Sequence, residues 1–100
     1  MKFKELCQKL HSEKVKVIYL IHEEKIGFTQ NLDINRFADK LRANRFIPLI
    51  ARDFRPLGEE FVSRAIEVSQ YALVIAFEEE TVKKCKAKGV PFVVVEEALA

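Results

Sequence analysis

Phe46-Ile47-Pro48-Leu49-Ile50-Ala51 decides the topology of this sequence. The run is short, apolar and carries isoleucine at 47 and 50, which reads as a β-strand. Pro48 lies inside it. Proline has no N–H and cannot donate to ladders on both sides, so this strand belongs at a sheet edge. Upstream, Ile34, Phe37, Ala38 and Leu41 fall at helical spacing, with Asp33, Arg36, Asp39, Lys40 and Arg42 turned to water. Asp33 is placed to cap that helix, with Leu32 and Phe37 as a hydrophobic staple across it. Before a loop containing Gly27, residues 15–21 (VKVIYLI) read as a buried strand, and Phe3, Leu6, Cys7 and Leu10 as the stripe of an opening helix over 2–12.

Downstream, residues 53–58 read as a loop punctuated by Pro56 and Gly58. Phe61, Val62, Ala65, Ile66 and Ser69 give a third helical stripe, with Glu59 and Glu60 in its first turn where the macrodipole favours acid. Residues 72–77 (ALVIAF) form a continuous apolar strand of the kind covered on both faces. Glu78, Glu79 and Glu80 open a fourth helix that ends in Lys83, Lys84, Lys86 and Lys88, with Gly89 as its C′ residue. Residues 91–95 (PFVVV) close the chain's last strand.

Strands separated by single helices argue for an α/β fold: a small three-layer sandwich with a four-stranded, mainly parallel sheet between helices. With Pro48 at an edge and right-handed crossovers, the expected strand order is second, first, third, fourth. One Rossmann-like or flavodoxin-like domain over residues 1–100 is the expected organisation. Its core is expected to contain Val17, Tyr19, Ile21, Leu73, Ile75, Val93 and Val95, with Phe37, Leu41, Phe61 and Ile66 packed on them.

Composition excludes several classes. The 100 residues are 49% hydrophobic and 32% charged, too apolar for a disordered chain, and no uncharged run approaches a membrane span. Met1-Lys2-Phe3-Lys4-Glu5 has no apolar segment behind its lysines, so no export signal is expected. Cys7 and Cys85 lack paired spacing and sit on helical apolar stripes, which reads as two reduced, buried thiols in a cytoplasmic protein. Net charge is +2, distributed as ten basic against six acidic residues over 1–45 and seven against nine thereafter.

Ligands of open parallel sheets bind beyond the carboxyl ends of the strands. There the sequence places His22, Glu23 and Glu24 after the first strand and Arg52 with Asp53 after the second. Glu78–Glu80 follow the third, and Glu96 with Glu97 the fourth. If the chain is an enzyme, His22, Glu23, Asp53 and Glu79 are its candidate acid–base groups. Strand ends also turn polar wherever they meet water, and glutamates cap helices, so the rim admits a purely structural reading. No phosphate-cradling G-x-G-x-x-G or G-x-x-x-x-G-K-[ST] follows a strand, no nucleophile elbow is present, and no metal or cofactor is expected.

Three family resemblances accompany this pattern. Gly58, Ala65-Ile66, Leu73-Val74-Ile75-Ala76 and Cys85 with Gly89-Val90-Pro91 resemble, over residues 58–100, the ribosomal-protein family that binds kink-turn RNA. That resemblance implies RNA contact from the helix after Gly58, with Arg64 in the place of the family's lysine and Glu60 and Phe61 where it has Asn and Glu. Ala38, Leu41-Arg42, Asp53, Leu57, Ala65 and residues 71–75 resemble, over 37–80, the anticodon-binding domain of class II aminoacyl-tRNA synthetases. Asn44, Ser69 and Ala76 stand in place of its glycines. Arg52-Asp53, Pro56, Gly58, Ala65-Ile66 and Ser69 are similar to TIR-type domains over 52–80, which implies a nucleotide-directed glutamate at Glu79 or Glu80. Together these point to a small binding module contacting RNA or a protein through Arg52, Arg55, Gly58 and Arg64, with a nucleotide-directed enzyme as the alternative. The uncharged edge Phe92-Val93-Val94-Val95 is an open template for a second chain, so a homodimer through it is expected.

Overall fold

The chain runs α1 (Phe3–Ser12), β1 (Val17–Ile21), α2 (Phe28–Ala43), β2 (Ile47–Ile50), α3 (Ala51–Phe54), a 3-10 turn (Arg55–Leu57), α4 (Glu59–Val68), β3 (Tyr71–Val74), α5 (Glu79–Ala87) and β4 (Phe92–Val94). This is a computed structural model, and it describes residues 2–75 and 79–94. Glu78, Val95, Glu96 and Glu97 lie outside the described residues.

The four strands form one all-parallel sheet in the order β2-β1-β3-β4, with Pro48 on an edge as the sequence demands. Ile47 N–H bonds to Lys16 O at 2.7 Å, so residue 47 faces β1 and Pro48 turns its missing donor outward. Two apolar clusters sit on opposite faces of the sheet. Leu6, Leu10, Phe37 and Leu41 from α1 and α2 pack on Ile18, Leu20 and Leu73. Val62, Ala65 and Ile66 from α4, with Val82 and Cys85 from α5, pack on Tyr19, Ile21, Ala72 and Val74. Each strand thus sends alternate residues to the two helical layers. Cys7 and Cys85 are free, buried thiols, and burial pushes both pKa values up. Among the described residues, no helix is long and apolar enough to cross a membrane.

Four sequence expectations need correction. The helix over α2 starts at Phe28, with Gly27 at its N-cap position and Gln30 accepting the Gly27 N–H at 2.6 Å. Asp33 and Leu32 are therefore interior residues of the helix, not its cap and staple. Phe61 is 49% exposed, because Val62, Ala65, Ile66 and Ser69 set the inward phase of α4 and Phe61 stands about 100° away from that face. Residues 53–58 are mostly helical: α3 continues directly from β2, and the 3-10 turn carries the chain to Gly58. Val17 and Val93 are only half-buried, since each lies at the end of its strand or at the sheet's edge.

Candidate functional site

The strand order reverses between β1 and β3, which makes the carboxyl ends of these strands the switch point where a ligand crevice is expected. The first residue beyond β1 is His22. It is 1% exposed, and both ring nitrogens are occupied. The backbone N–H of Arg52 donates to Nε2 at 2.9 Å. The neutral ring therefore carries its proton on Nδ1, which donates to Glu23 O at 2.7 Å. His22 is thus a latch between the ends of neighbouring strands β1 and β2. Burial holds its pKa below the ordinary histidine value. The Glu23 carbonyl opposes that shift, the Arg55 and Arg52 charges reinforce it, and Asp53 opposes it weakly.

Both arginines of the rim are turned inward. Arg52 directs its Nη1 to Asn31 Oδ1 and its Nη2 to Asn35 Oδ1, two residues one turn apart on α2. Its Nε lies 3.5 Å from Asp53 Oδ1. Arg55 donates through Nη2 to His22 O at 2.6 Å and through Nη1 to Glu23 O at 3.0 Å, binding the 3-10 turn to the end of β1. Gly58 has φ 109° and ψ 167°, a backbone region essentially confined to glycine, and its carbonyl accepts the N–H groups of Phe61 and Val62 at 3.2 Å. Its place in the sequence is explained by that turn.

The remaining candidates are dispersed. Glu23, Glu24, Asp53, Glu79 and Arg64 are exposed, and Glu79 pairs with Lys83 at 3.2 Å along α5. Among the described residues, no three of His, Cys, Asp and Glu come together in a way that could hold a metal ion. Two clefts flank the loop after β1. One, of about 110 Å³, is walled by His22, Glu23, Gln30 and Asp33 over the apolar floor of Ile34 and Ile75. The other, of about 320 Å³, lies between the first turns of α4 and α5. Glu24, Glu59 and Glu80 face it against Arg55 and Lys84, and Lys84 lies 3.5 Å from Glu59. With carboxylates outnumbering cations, neither cleft suits a phosphate.

Asn31 and Asn35, which hold Arg52, escape sequence reasoning. Their spacing of four marks one helix face, but nothing local says that an arginine from the next unit meets it. A second cluster, at the opposite end of the sheet, also escapes it. There His11, Lys14, Lys16 and Arg45 line one wide groove of about 710 Å³. The available signal is the helix-to-strand junctions Ser12-Glu13-Lys14-Val15 and Ala43-Asn44-Arg45-Phe46, neither of which contains glycine. No protein-family model, curated protein or solved structure matches this chain.

Proposed function

We propose that this chain is a non-enzymatic binding module whose partner is RNA or a protein. One observation carries the reading: His22, the histidine at the switch point, is buried with both nitrogens bonded to backbone groups. Such a ring has neither a lone pair nor a proton to offer a substrate. Arg52 and Arg55 support it, since each guanidinium donates to protein acceptors, Arg55 doing so from the wall of the cleft between α4 and α5. Two free, buried thiols support a cytoplasmic setting. Isothermal titration with adenosine and guanosine nucleotides and with NAD tests the alternative. No heat of binding at millimolar ligand is the expected result. Binding that Glu23→Gln or Glu79→Gln removes would instead establish the nucleotide-directed enzyme.

Self-association through β4 belongs to the same reading. Ala72 N–H bonds to Pro91 O at 2.9 Å in a parallel register pairing Ala72 with Phe92. The alternation of a parallel ladder then turns the peptide groups of Phe92 and Val94 away from β3. That edge supports pairing with a second copy about a two-fold axis. Sedimentation equilibrium at micromolar protein is expected to give twice the chain mass, and Val94→Lys to halve it. A wild-type chain that sediments as a single copy rules the pairing out.

A further inference from the structure

Three helices run into strands at the amino end of the sheet by the same closure. After α1, Val15 N–H bonds to Leu10 O at 2.9 Å and Lys14 N–H to His11 O at 3.0 Å. After α2, Phe46 N–H bonds to Leu41 O at 3.0 Å and Arg45 N–H to Arg42 O at 3.1 Å. After α5, Val90 N–H bonds to Cys85 O at 2.9 Å. Each closure puts one residue in the left-handed region: Lys14 at φ 60°, Arg45 at φ 70° and Gly89 at φ 71°. Glycine is the usual occupant of that position, because a Cβ there crowds the following carbonyl. Two of the three turns nevertheless hold a long cation.

Those two turns are neighbours, since β1 and β2 pair directly, and both face the groove that Lys16 and His11 also line. No carboxylate lines this groove. Among the described residues, no carboxylate lies within ion-pair distance of Lys14, Lys16 or Arg45. Several helix-end carbonyls, whose partial charges would repel an anion, already accept side-chain bonds. Ser12 Oγ donates to Lys9 O at 2.7 Å, Asn44 Nδ2 to Lys40 O at 2.8 Å, and His11 Nε2 to Asn44 O at 2.9 Å. That last bond also fixes the His11 ring, which stacks on buried Phe46 with centroids 4.4 Å apart and planes 15° apart. One face of the imidazole is thereby backed while the residue stays exposed on the groove wall.

Resting on the reading of the chain as a binding module, we propose that this groove binds single-stranded nucleic acid, with phosphates on Lys14, Lys16 and Arg45 and a base stacked on His11. Cations without paired acids attract any polyanion. The flat, backed ring among them selects for one that carries bases. An acidic peptide would use the cations and leave the ring idle.

Fluorescence anisotropy with the full chain and labelled oligouridylate or oligothymidylate of about 12 nucleotides tests the proposal. Three phosphate contacts at roughly 0.7 counterions each predict that log K falls against log salt with a slope of about −2. The double variant Lys14→Gly/Arg45→Gly removes two charges from positions where glycine is unstrained, so it stays folded. It should bring the slope to about −0.7 and weaken binding at low salt by roughly tenfold or more. His11→Ala should weaken binding roughly tenfold with the slope unchanged. Equal affinity for the two oligonucleotides supports phosphate and base contacts alone, and tighter RNA binding adds a 2′-hydroxyl contact. The proposal is overturned by no binding at low salt, by a slope that the double variant leaves unchanged, or by polyglutamate competing as well as the oligonucleotide. Loss of binding in Arg64→Gln with the groove variants unaffected also overturns it and moves the contact to α4. None of these outcomes touches the nucleotide titrations at the carboxyl rim, so the two readings fail separately.

Discussion

At the carboxyl ends of the strands, one histidine and two arginines are turned inward onto backbone carbonyls and asparagine side chains. At the amino ends, one histidine, two lysines and one arginine stand exposed in a groove that no carboxylate lines among the described residues. The residue types are nearly the same at both ends. Position on the fold separates their roles. The carboxyl rim joins β1, β2, α2 and the 3-10 turn, and its long-range bonds hold those four elements in register. At the amino end each junction is closed by local N–H to C=O bonds of the preceding helix, and the long-range bonds there come from His11 to Asn44 O and from the Gln70 amide to the backbone of residues 14, 16 and 17. The Lys14, Lys16 and Arg45 side chains are left to act outward.

The comparison is most exposed to a pair of histidine truncations. His22→Ala should cost about 2–4 kcal/mol, since it leaves the Arg52 N–H without its partner and opens a cavity where a buried ring stood. His11→Ala should cost about 1 kcal/mol or less, as a surface change with one exposed bond. Denaturant melts of both variants give the two numbers, and equal losses would erase the distinction between the rims. Next in size is Arg52→Ala, expected to cost about 1–2 kcal/mol through the stranded Asn31 and Asn35 carbonyls. Arg45→Gln should change stability by roughly 0.5 kcal/mol at most.

A pH series sharpens the same contrast. The unfolded imidazole of residue 22 takes its proton near pH 6.5, and the folded one only at lower pH. Between those values the unfolded chain binds more protons, so stability should fall as pH drops below about 6.5, by at most about 1.4 kcal/mol per pH unit. His22→Gln should flatten that dependence, and a wild-type profile already flat between about pH 7 and pH 5.5 would contradict the buried neutral ring. A further small effect has the opposite sign. Lys14→Gly and Arg45→Gly should each stabilise by roughly 0.5–1 kcal/mol, while Gly89→Lys at the equivalent turn should cost about 1 kcal/mol.

Much of the architecture is legible in the sequence because it follows from short-range signals. β-branched apolar runs give the strands, helical stripes give the layers, and one proline gives the strand order. The errors arise where two local signals compete. Phe61 is the largest apolar residue on α4, yet three smaller residues and Ser69 set the helix phase, and size alone does not rotate a helix. Asp33 is a strong capping residue, but Gly27 with Gln30 closes the helix earlier, and a cap works only where the helix begins. The candidate site is less legible still. The places of His22 and Arg52 just after strands can be read from the sequence, but the inward bonds of His22, Arg52 and Arg55 depend on contacts 17–33 residues apart in the chain. The left-handed turns at Lys14 and Arg45 depend on helix-end hydrogen bonds that no residue type announces.

Pro48 has a consequence for matter at larger scale. A sheet whose two margins both accept strands can add copies without end, which is how filaments grow. In this molecule the β2 margin holds the buried Pro48, which lacks the N–H donor that a further strand would need. As a building block the sheet has at least one margin closed to growth. If a second copy joins at β4 as proposed, the pair is left with two proline-bearing margins and growth stops there.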